Sequence, residues 1–323
     1  MAQLENPLVS IVIVCMNRLD NLYPCLESIR KWTGVPYETL VTAYLFEPQN
    51  VERVRKDFPE VQFIPSDEIR GFSENNNLAL RQARGRYIFI LNDDTLMIED
   101  VVGRLCADFA LLPDNAAILT PHLLNEDGSL QLCGRPPYPA GNYLLQQWHL
   151  FSEGKDDTVG KTPVVGSIFA TSNISGAAFL IKSDIFRELG WLDERYFFTP
   201  EDIALSTLAR KRGYGVYVDR EASIIHKWRT TASSMSVAVR PAAVRGSLIF
   251  FSEGKPLRYL FLAAGVWHAE SAKRIKAALR YMVSRDPKVL LSLRTYRAIC
   301  RAIFTRRSPK EIFIREYEKL RRK

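Results

Sequence analysis

The sequence predicts an α/β fold: a mostly parallel sheet flanked by helices, followed by an all-helical C-terminal extension. Three observations lead there. Apolar, β-branched runs of strand length alternate with helix-length segments over the first 226 residues, as in βα units. One such run, residues 87–91 (YIFIL), passes directly into Asn92-Asp93-Asp94, which puts acids at the carboxyl end of a strand, where sheets of this class bind ligands. Residues 240–323 carry helical periodicity and no strand signal.

The elements follow in order. Residues 8–15 (LVSIVIVC) form a continuous apolar run, suited to a central strand covered on both faces. A helix over 19–33 ends at Gly34, strands follow at 39–46 and 61–64, and a helix over 73–84 ends at Gly85. After strand 87–91 come a helix at 99–112 and a strand at 116–121. Asp127-Gly128 marks a turn, and Pro136, Pro137 and Pro139 interrupt regular structure, so a mobile loop is expected around 140–170. Periodicity returns with strand 177–182, helices 183–189 and 201–212, and strands 214–218 and 222–226. Helices are expected at 241–252, 257–283, 288–305 and 309–322, so the chain divides into residues 1–238 and 239–323.

The 323 residues are 47% hydrophobic and 25% charged, which is globular and excludes fibrous or disordered chains. No run of 18 uncharged apolar residues exists, so no membrane-spanning helix is expected. The first residues lack the basic start of a secretory signal, and an intracellular location is expected. Five cysteines with no CxxC pair argue against a disulfide framework or a zinc ribbon and fit a reducing cytoplasm. The net charge of +8 is unevenly spread: residues 1–240 balance to −6 and residues 241–323 to +14. The two parts are expected to meet different partners.

Three places carry candidate chemistry. Asn92-Asp93-Asp94 can hold a divalent cation against a diphosphate; the structural alternative is that Asp94 or Thr95 caps the helix at 99–112. Glu201-Asp202 stands at a helix start, where a carboxylate can act as a general base or simply complement the helix dipole. His226 ends the apolar strand ASIIH and is either a nitrogen ligand to a metal or a structural histidine.

Taken together with their surroundings, these residues resemble family 2 glycosyltransferases of the GT-A fold, particularly the bacterial rhamnosyltransferase-like branch. The resemblance spans roughly residues 8–236 and rests on ordered segments: VSIVIVCMNRLDNLYPCLESI, GFSENNNLALRQARGRYIFILNDDT, HLLNEDGSLQ, and ISGAAFLIKSDIFRELGWLDERYFFTPEDIALSTLARKRGYGVYVDREASIIH. It implies a metal site of Asp94 and His226 binding Mn2+ or Mg2+, with Asp93 and Asn92 completing the acidic signature. Asp202 is implied as catalytic base. The implied donor-site residues are Cys15, Asn17 and Arg18 after the first strand, Arg70, Gly71 and Asn75 beside the nucleotide, and Gly176 near the sugar. The implied reaction is inverting transfer of a sugar from a nucleotide-diphosphate donor to a hydroxyl of a saccharide or lipid-linked saccharide. The resemblance makes dTDP-rhamnose the first donor to consider and a UDP-sugar the second.

Two departures stand out. Relatives carry an Asp-Asn-x-Ser stretch after the second strand where this chain reads AYLFEPQN, so Glu47 is the nearest acid for the nucleobase contact. The acid that usually follows the Glu-Asp motif two residues on is Ala204. Around the base, Trp191 and Phe198, with Glu201, are candidate acceptor contacts, the aromatic rings through stacking on sugar faces. Trp228 and the TTASSMS stretch (230–236) are a candidate lid.

Two rivals, one an enzyme and one not, have sequence consequences. A nucleotidyltransferase should carry a glycine-rich phosphate loop after the first strand, and CMNRLDN has no glycine. A catalytically inactive membrane-bound assembly subunit would explain Ala204 but leaves Asp94, Asp202 and His226 unexplained.

In the basic extension, KVLLSLRTYRAICRAIFTRR (288–307) places Leu293, Tyr296, Cys300, Ile303 and Phe304 at helical spacing with Arg294, Arg297 and Arg301 between them. Such a helix suits an anionic membrane surface, which makes a peripheral position on the cytoplasmic face the expectation, with a homo-oligomer interface as the alternative. No nucleic-acid module accompanies the charge, and nucleic acid is not an expected partner.

Overall fold

The computed structural model describes residues 7–152, 154, 156–227 and 235–321. In chain order the first half comprises β1 (Val9–Cys15), α1 (Leu19–Trp32), β2 (Tyr37–Tyr44), α2 (Pro48–Asp57), β3 (Val61–Ser66), α3 (Phe72–Leu80), β4 (Tyr87–Asn92), β5 (Thr95–Met97), α4 (Val101–Phe109) and β6 (Ala116–Leu124). Then come α5 (Ala140–Gln147), β7 (Ile168–Ala170), β8 (Ala178–Lys182), α6 (Ser183–Glu188), α7 (Glu201–Lys211), β9 (Gly215–His226), α8 (Ser236–Ser252), α9 (Pro256–Ser284), α10 (Pro287–Ile303) and α11 (Pro309–Arg321).

The chain divides into two compact units. The first holds Met1–Pro137, Gly154–Asp193 and Glu201–Thr230; the second holds Tyr138–Glu153, Glu194–Pro200 and Thr231–Lys323. The 238/239 boundary expected from sequence falls inside α8.

In the first unit the strands form one sheet in the order β3-β2-β1-β4-β8-β6-β9-β5, with β7 on β9. Strands β3, β2, β1 and β4 run parallel, whereas β8 runs antiparallel to both β4 and β6. The sheet is therefore mixed, and its parallel half carries the continuous apolar runs, because helices cover both faces there. On one face Val9, Ile11 and Ile13 pack with Leu22, Cys25 and Ile29 of α1 and Val102, Leu105 and Phe109 of α4. On the other, Val12, Ile88 and Ile90 pack with Leu80 of α3, Phe186 of α6 and Leu205 of α7.

Three expectations need correction. The segment 140–170 contains α5 and β7. Pro139 caps α5 from outside, and Tyr143 is the one buried side chain of that helix, so no apolar stripe advertises it. The two strands expected at 214–218 and 222–226 are one strand, β9, with an irregularity in its pairing to β6 near Asp219. Helix α2 escaped notice because Val54 is its sole buried residue.

Gly85 also has a different role from the one its position suggests. Helix α3 ends at Leu80, well before it. A Cβ on Gly85 would lie 2.5 Å from the Ser10 backbone nitrogen and 2.7 Å from the Tyr87 carbonyl oxygen, and neither atom can swing away. The Gly85 N–H donates to Ser10 Oγ at 2.8 Å, and that hydroxyl donates to Glu38 Oε1 at 2.7 Å. The glycine thus lets the chain enter β4 flush against β1.

In the second unit Tyr143 stacks on Phe251 with ring centroids 4.7 Å apart, and Leu248, Leu262, Val266, Ile299 and Ile303 close the core. Helices α9, α10 and α11 each begin on a proline, whose missing N–H costs nothing at a helix start.

Gly85→Ala is expected to cost more than about 2 kcal/mol, since overpacking against backbone cannot relax through rotamers. Urea unfolding followed by circular dichroism measures it, and a loss under about 0.5 kcal/mol would contradict the close-approach role.

Candidate active site

Strand order makes the site. Strand β1 lies between β2 and β4, which its chain connections reach in opposite directions, and the crevice at such a reversal opens beyond the carboxyl ends of the strands. Cys15 ends β1, Glu47 follows β2, and Asn92 ends β4 with Asp93 and Asp94 just beyond. Asn17 adopts φ of 51° and holds the crevice loops together: its Oδ1 accepts from the Glu47 N–H at 3.3 Å and from Asn50 Nδ2 at 2.9 Å. Arg18 pairs with Asp20 at 2.7 Å.

On the neighbouring edge Arg70 pairs with Glu68 at 2.8 Å and donates to Ser66 Oγ at 3.1 Å. Gly71 precedes α3, with its N–H donating to Glu74 Oε2. Asn75 is buried, and its Oδ1 accepts from Ser66 Oγ at 2.7 Å. These side chains tie β3 to α3 and so shape the segment beside the crevice.

The acids do not cap α4. That role belongs to Asp100, whose carboxylate accepts from the Gly103 N–H at 2.8 Å, while Thr95 Oγ1 donates to the Asn92 carbonyl at 2.7 Å. Asp93 and Asp94 are nevertheless buried. Burial pushes the Asp93 carboxyl up to about 7, with the Asp94 charge adding to the effect and a hydrogen bond from the Cys15 thiol and the nearby Arg18 opposing it. Two adjacent buried acids favour a cation nearby.

Antiparallel pairing of β5 with β9 sets Thr95 opposite His226, and the Lys227 N–H donates to the Asp94 carbonyl at 2.9 Å. His226 Nε2 then lies 3.4 Å from Asp94 Oδ1, both side chains being 8% exposed. Gln131 assigns the tautomer. Its Nε2 donates to the His226 carbonyl at 2.5 Å and to Asn125 Oδ1 at 2.8 Å, so its Oε1 faces His226 Nδ1 at 2.8 Å. Nδ1 carries the proton, and the Nε2 lone pair points to the Asp94 side. Two electron-rich atoms so close repel unless a proton or cation lies between them. An imidazole nitrogen and a carboxylate oxygen fit Mn2+ or Mg2+, the nitrogen shifting the balance toward Mn2+.

Asp202 reaches the same crevice from α7. Its Oδ2 accepts from the Gly176 N–H at 3.2 Å, and the Arg135 guanidinium stands 3.5 Å away. The adjacent Ala177 carbonyl accepts the Asn92 N–H at 2.9 Å, which links the Gly176 segment to the end of β4. A Cβ on Gly176 would lie 3.5 Å from Asp202 Cβ and 3.8 Å from Glu201 Oε1, ordinary contacts, so packing does not demand the glycine. Glu201 is buried with Oε2 lacking a hydrogen-bond partner, and burial, followed by repulsion from Asp202, pushes its carboxyl well above the usual range.

The candidate acceptor aromatics fall in different units. Trp191 packs edge-on against Phe186 in the first, with centroids 5.3 Å apart, and Phe198 packs against Phe197 and Phe313 in the second. Trp228 and residues 229–234, most of the candidate lid, lie outside the described residues. Gln131 and Arg135 were not recognised from sequence: Gln131 sits in the HLLNEDGSLQ segment, but a glutamine and an arginine in irregular chain carry no signal until the fold aims them. Separately, ligand atoms of His122, Cys133 and Asp156 converge within 4.8 Å, although the Asp156 carboxylate is already held by Thr158 and the Gly134 N–H.

Residues 10–130 match the family model described as glycosyl transferase family 2. No curated protein sequence matches the chain. Among solved structures, the chain is similar to GalNAc-T7 with UDP, GalNAc and Mn2+ (TM-score 0.54, 15% identity, 79% of this chain and 51% of that one). It is also similar to the mannosyltransferase PcManGT from Pyrobaculum calidifontis in complex with GDP-Man and Mn2+ (TM-score 0.52, 13% identity, 93% of this chain and 87% of that one). The chain spans about half the length of GalNAc-T7.

The Gln131 contact has a direct readout. Long-range 1H–15N correlation spectra are expected to show His226 protonated at Nδ1 when neutral, and Gln131→Met is expected to lose that preference. An Nε2-protonated ring in the wild type would contradict the assignment.

The chain has the GT-A glycosyltransferase fold, a central sheet flanked by helices with a helical C-terminal part, and the family 2 match lies on the half of the sheet that builds the crevice.

Proposed function

We propose that this chain is an inverting, metal-dependent glycosyltransferase that moves a sugar from a nucleotide-diphosphate donor to a hydroxyl of a saccharide or lipid-linked saccharide. The observation that carries the reading is the tautomer-set His226 facing Asp94 at the carboxyl end of the sheet, in the same crevice as Asp202. The Mn2+ and nucleotides or nucleotide-sugar in the two similar structures support the same class of ligands here. dTDP-rhamnose is the first donor to test, with UDP-sugars next. The expected setting is the cytoplasmic face of a membrane, with a homo-oligomer an open possibility to be measured.

Asp94 and His226 would hold the divalent cation, with Asp93 and Asn92 beside it, and the cation would supply positive charge to the departing diphosphate. The chain's own residues do the rest. Cys15, Asn17, Arg18 and Glu47 line the nucleoside end of the crevice, and Arg70, Gly71 and Asn75 shape its flank. Asp202 takes the proton of the acceptor hydroxyl as that oxygen attacks the anomeric carbon from the face opposite the diphosphate. Arg135 and the Gly176 N–H orient the Asp202 carboxylate. Burial, followed by repulsion from Asp202, pushes the Glu201 carboxyl above its usual range, which favours its neutral, hydrogen-donating form beside the acceptor. The missing side chain at Gly176 keeps its backbone close to both carboxyls, Asp202 and Glu201, beside the sugar. Trp191 and Phe198 are engaged in packing and are the weaker acceptor candidates.

Calorimetric titration of dTDP and UDP with and without Mn2+ tests the donor site. One nucleotide is expected to bind only with Mn2+ and to lose at least about tenfold in affinity in Asp94→Ala, one charge-assisted contact being worth roughly 1.5–3 kcal/mol. If neither nucleotide binds with any metal, the catalytic reading falls and an inactive assembly subunit takes its place.

Asp202→Asn is expected to lower turnover about 10²–10⁴-fold while nucleotide affinity stays within about twofold, since a general base acts on the acceptor and not on the donor. A variant of wild-type turnover would remove Asp202 from the role.

A further inference from the structure

The helix expected to meet a membrane is not the one whose apolar side faces water. In α10 most of the expected apolar stripe turns inward: Cys300 and Ile303 are buried and Leu293 and Tyr296 half-buried, with Phe304 at its end exposed, while Arg294, Arg297 and Arg301 face solvent. Helix α9 does the opposite. It runs for 29 residues, about 43 Å at the ordinary helical rise. One side, with Leu262, Ala263, Val266, Ala269 and Ala277, is buried in the unit. The other side leaves Leu257 83%, Phe261 70%, Ile275 57%, Leu279 56% and Val283 88% exposed, with Trp267 at 36%.

These six positions fall within about 160° of the helix circumference at 100° per residue, in two clusters: Leu257 and Phe261 near the start, Ile275, Leu279 and Val283 near the end, with Trp267 between them and Ser271, inside the arc, packed on Cys300 of α10. Basic residues border the arc: Lys276 and Arg280 along one margin and Arg274 along the other, with Arg285 just past the helix end. The only acid in α9 is Glu270, which is fully buried and paired with Lys273 at 2.6 Å. An exposed apolar face of this kind is unusual on a soluble surface and marks an interaction site.

We infer that the exposed face of α9 lies flat on an anionic lipid surface, its apolar side chains in the acyl boundary and its margin cations among the headgroups. Two features select a lipid surface over a second copy of the chain. Pairing two such faces about a twofold axis would bring cationic margins together with no exposed acid on α9 to offset them. A bilayer of acidic lipids supplies the complementary charge, each Lys or Arg contributing about 1 kcal/mol near the surface. No described helix is long and apolar enough to cross a membrane, so this helix is read as lying along one. The inference deepens the membrane setting proposed above, but its test needs neither donor nor turnover, so either can fail without the other.

The test is flotation of the full chain with vesicles of phosphatidylcholine alone and of phosphatidylcholine mixed with phosphatidylglycerol. Binding to the mixed vesicles is expected to exceed binding to neutral ones at least about tenfold and to fall as salt rises from about 0.1 M to about 0.5 M. Trp267 emission is expected to shift to the blue on binding, with Trp267→Phe as the reference. The double variant Phe261→Glu, Leu279→Glu, at exposed sites, is expected to keep its Tm and lose at least about tenfold in binding, whereas Leu293→Glu on α10 tests the rival helix. Equal binding of the α9 variant and the wild type, or no binding to mixed vesicles, overturns the inference. So does a dimer in light scattering that the same double variant splits, because the face would then belong to a second copy.

Discussion

The pairing of β5 with β9 is the constraint on which the candidate site depends. Three residues of β5 run antiparallel to the end of a strand that begins more than a hundred residues later, and this places Thr95 opposite His226. Slipping that register by one residue would turn His226 to the other face, because side chains alternate across a strand. The backbone bond from Lys227 to Asp94 and the Gln131 contacts to both the ring and the carbonyl of His226 secure the register at its far end. Without this short pairing Asp94 would be an acid at a strand end with no partner from the rest of the sheet.

The crevice is also an electrostatic arrangement. Asp93, Asp94 and Glu201 are buried carboxyls; Arg18 lies near Asp93, His226 faces Asp94, and Arg135 stands on Asp202. Burying several acids together is costly, and such clusters are common where a ligand brings positive charge. Asp93 and Glu201 are both displaced upward by burial. Asp202 differs from Glu201 by one position in α7, yet its carboxylate accepts from the Gly176 N–H and pairs with Arg135, whereas Glu201 Oε2 is buried with no hydrogen-bond partner.

The helical unit shows the same economy in apolar surface. Four helices with amphipathic sequences compete for one small core, and packing decides which stripe is used. Helix α10 spends its stripe on Ile299 and Ile303, while α9 contributes a narrow band of Ala263, Val266 and Ala277 and leaves larger side chains outside. Small residues on the inner side of α9 allow close helix approach; large ones on its outer side have no intramolecular partner to fill.

Sequence by itself determined the sheet's parallel half, the position of the acids at the end of β4, and the helical character of the last 85 residues, because each is a local pattern: an apolar run, a strand terminus, a period of 3.6. It also marked Asp202 and His226, through their setting in a resembling family. What it did not determine is which side chains meet. Helices α2 and α5 bury one residue each, so their sequences carry no stripe to read. Gly85 reads as a helix terminator, but the reason for a glycine there is the Ser10 and Tyr87 backbone, atoms from other strands. Gln131, Arg135 and the choice between α9 and α10 were decided by tertiary structure alone, because a hydrogen bond across the sheet and an unused apolar face are relations between distant segments, and no local pattern encodes a distance.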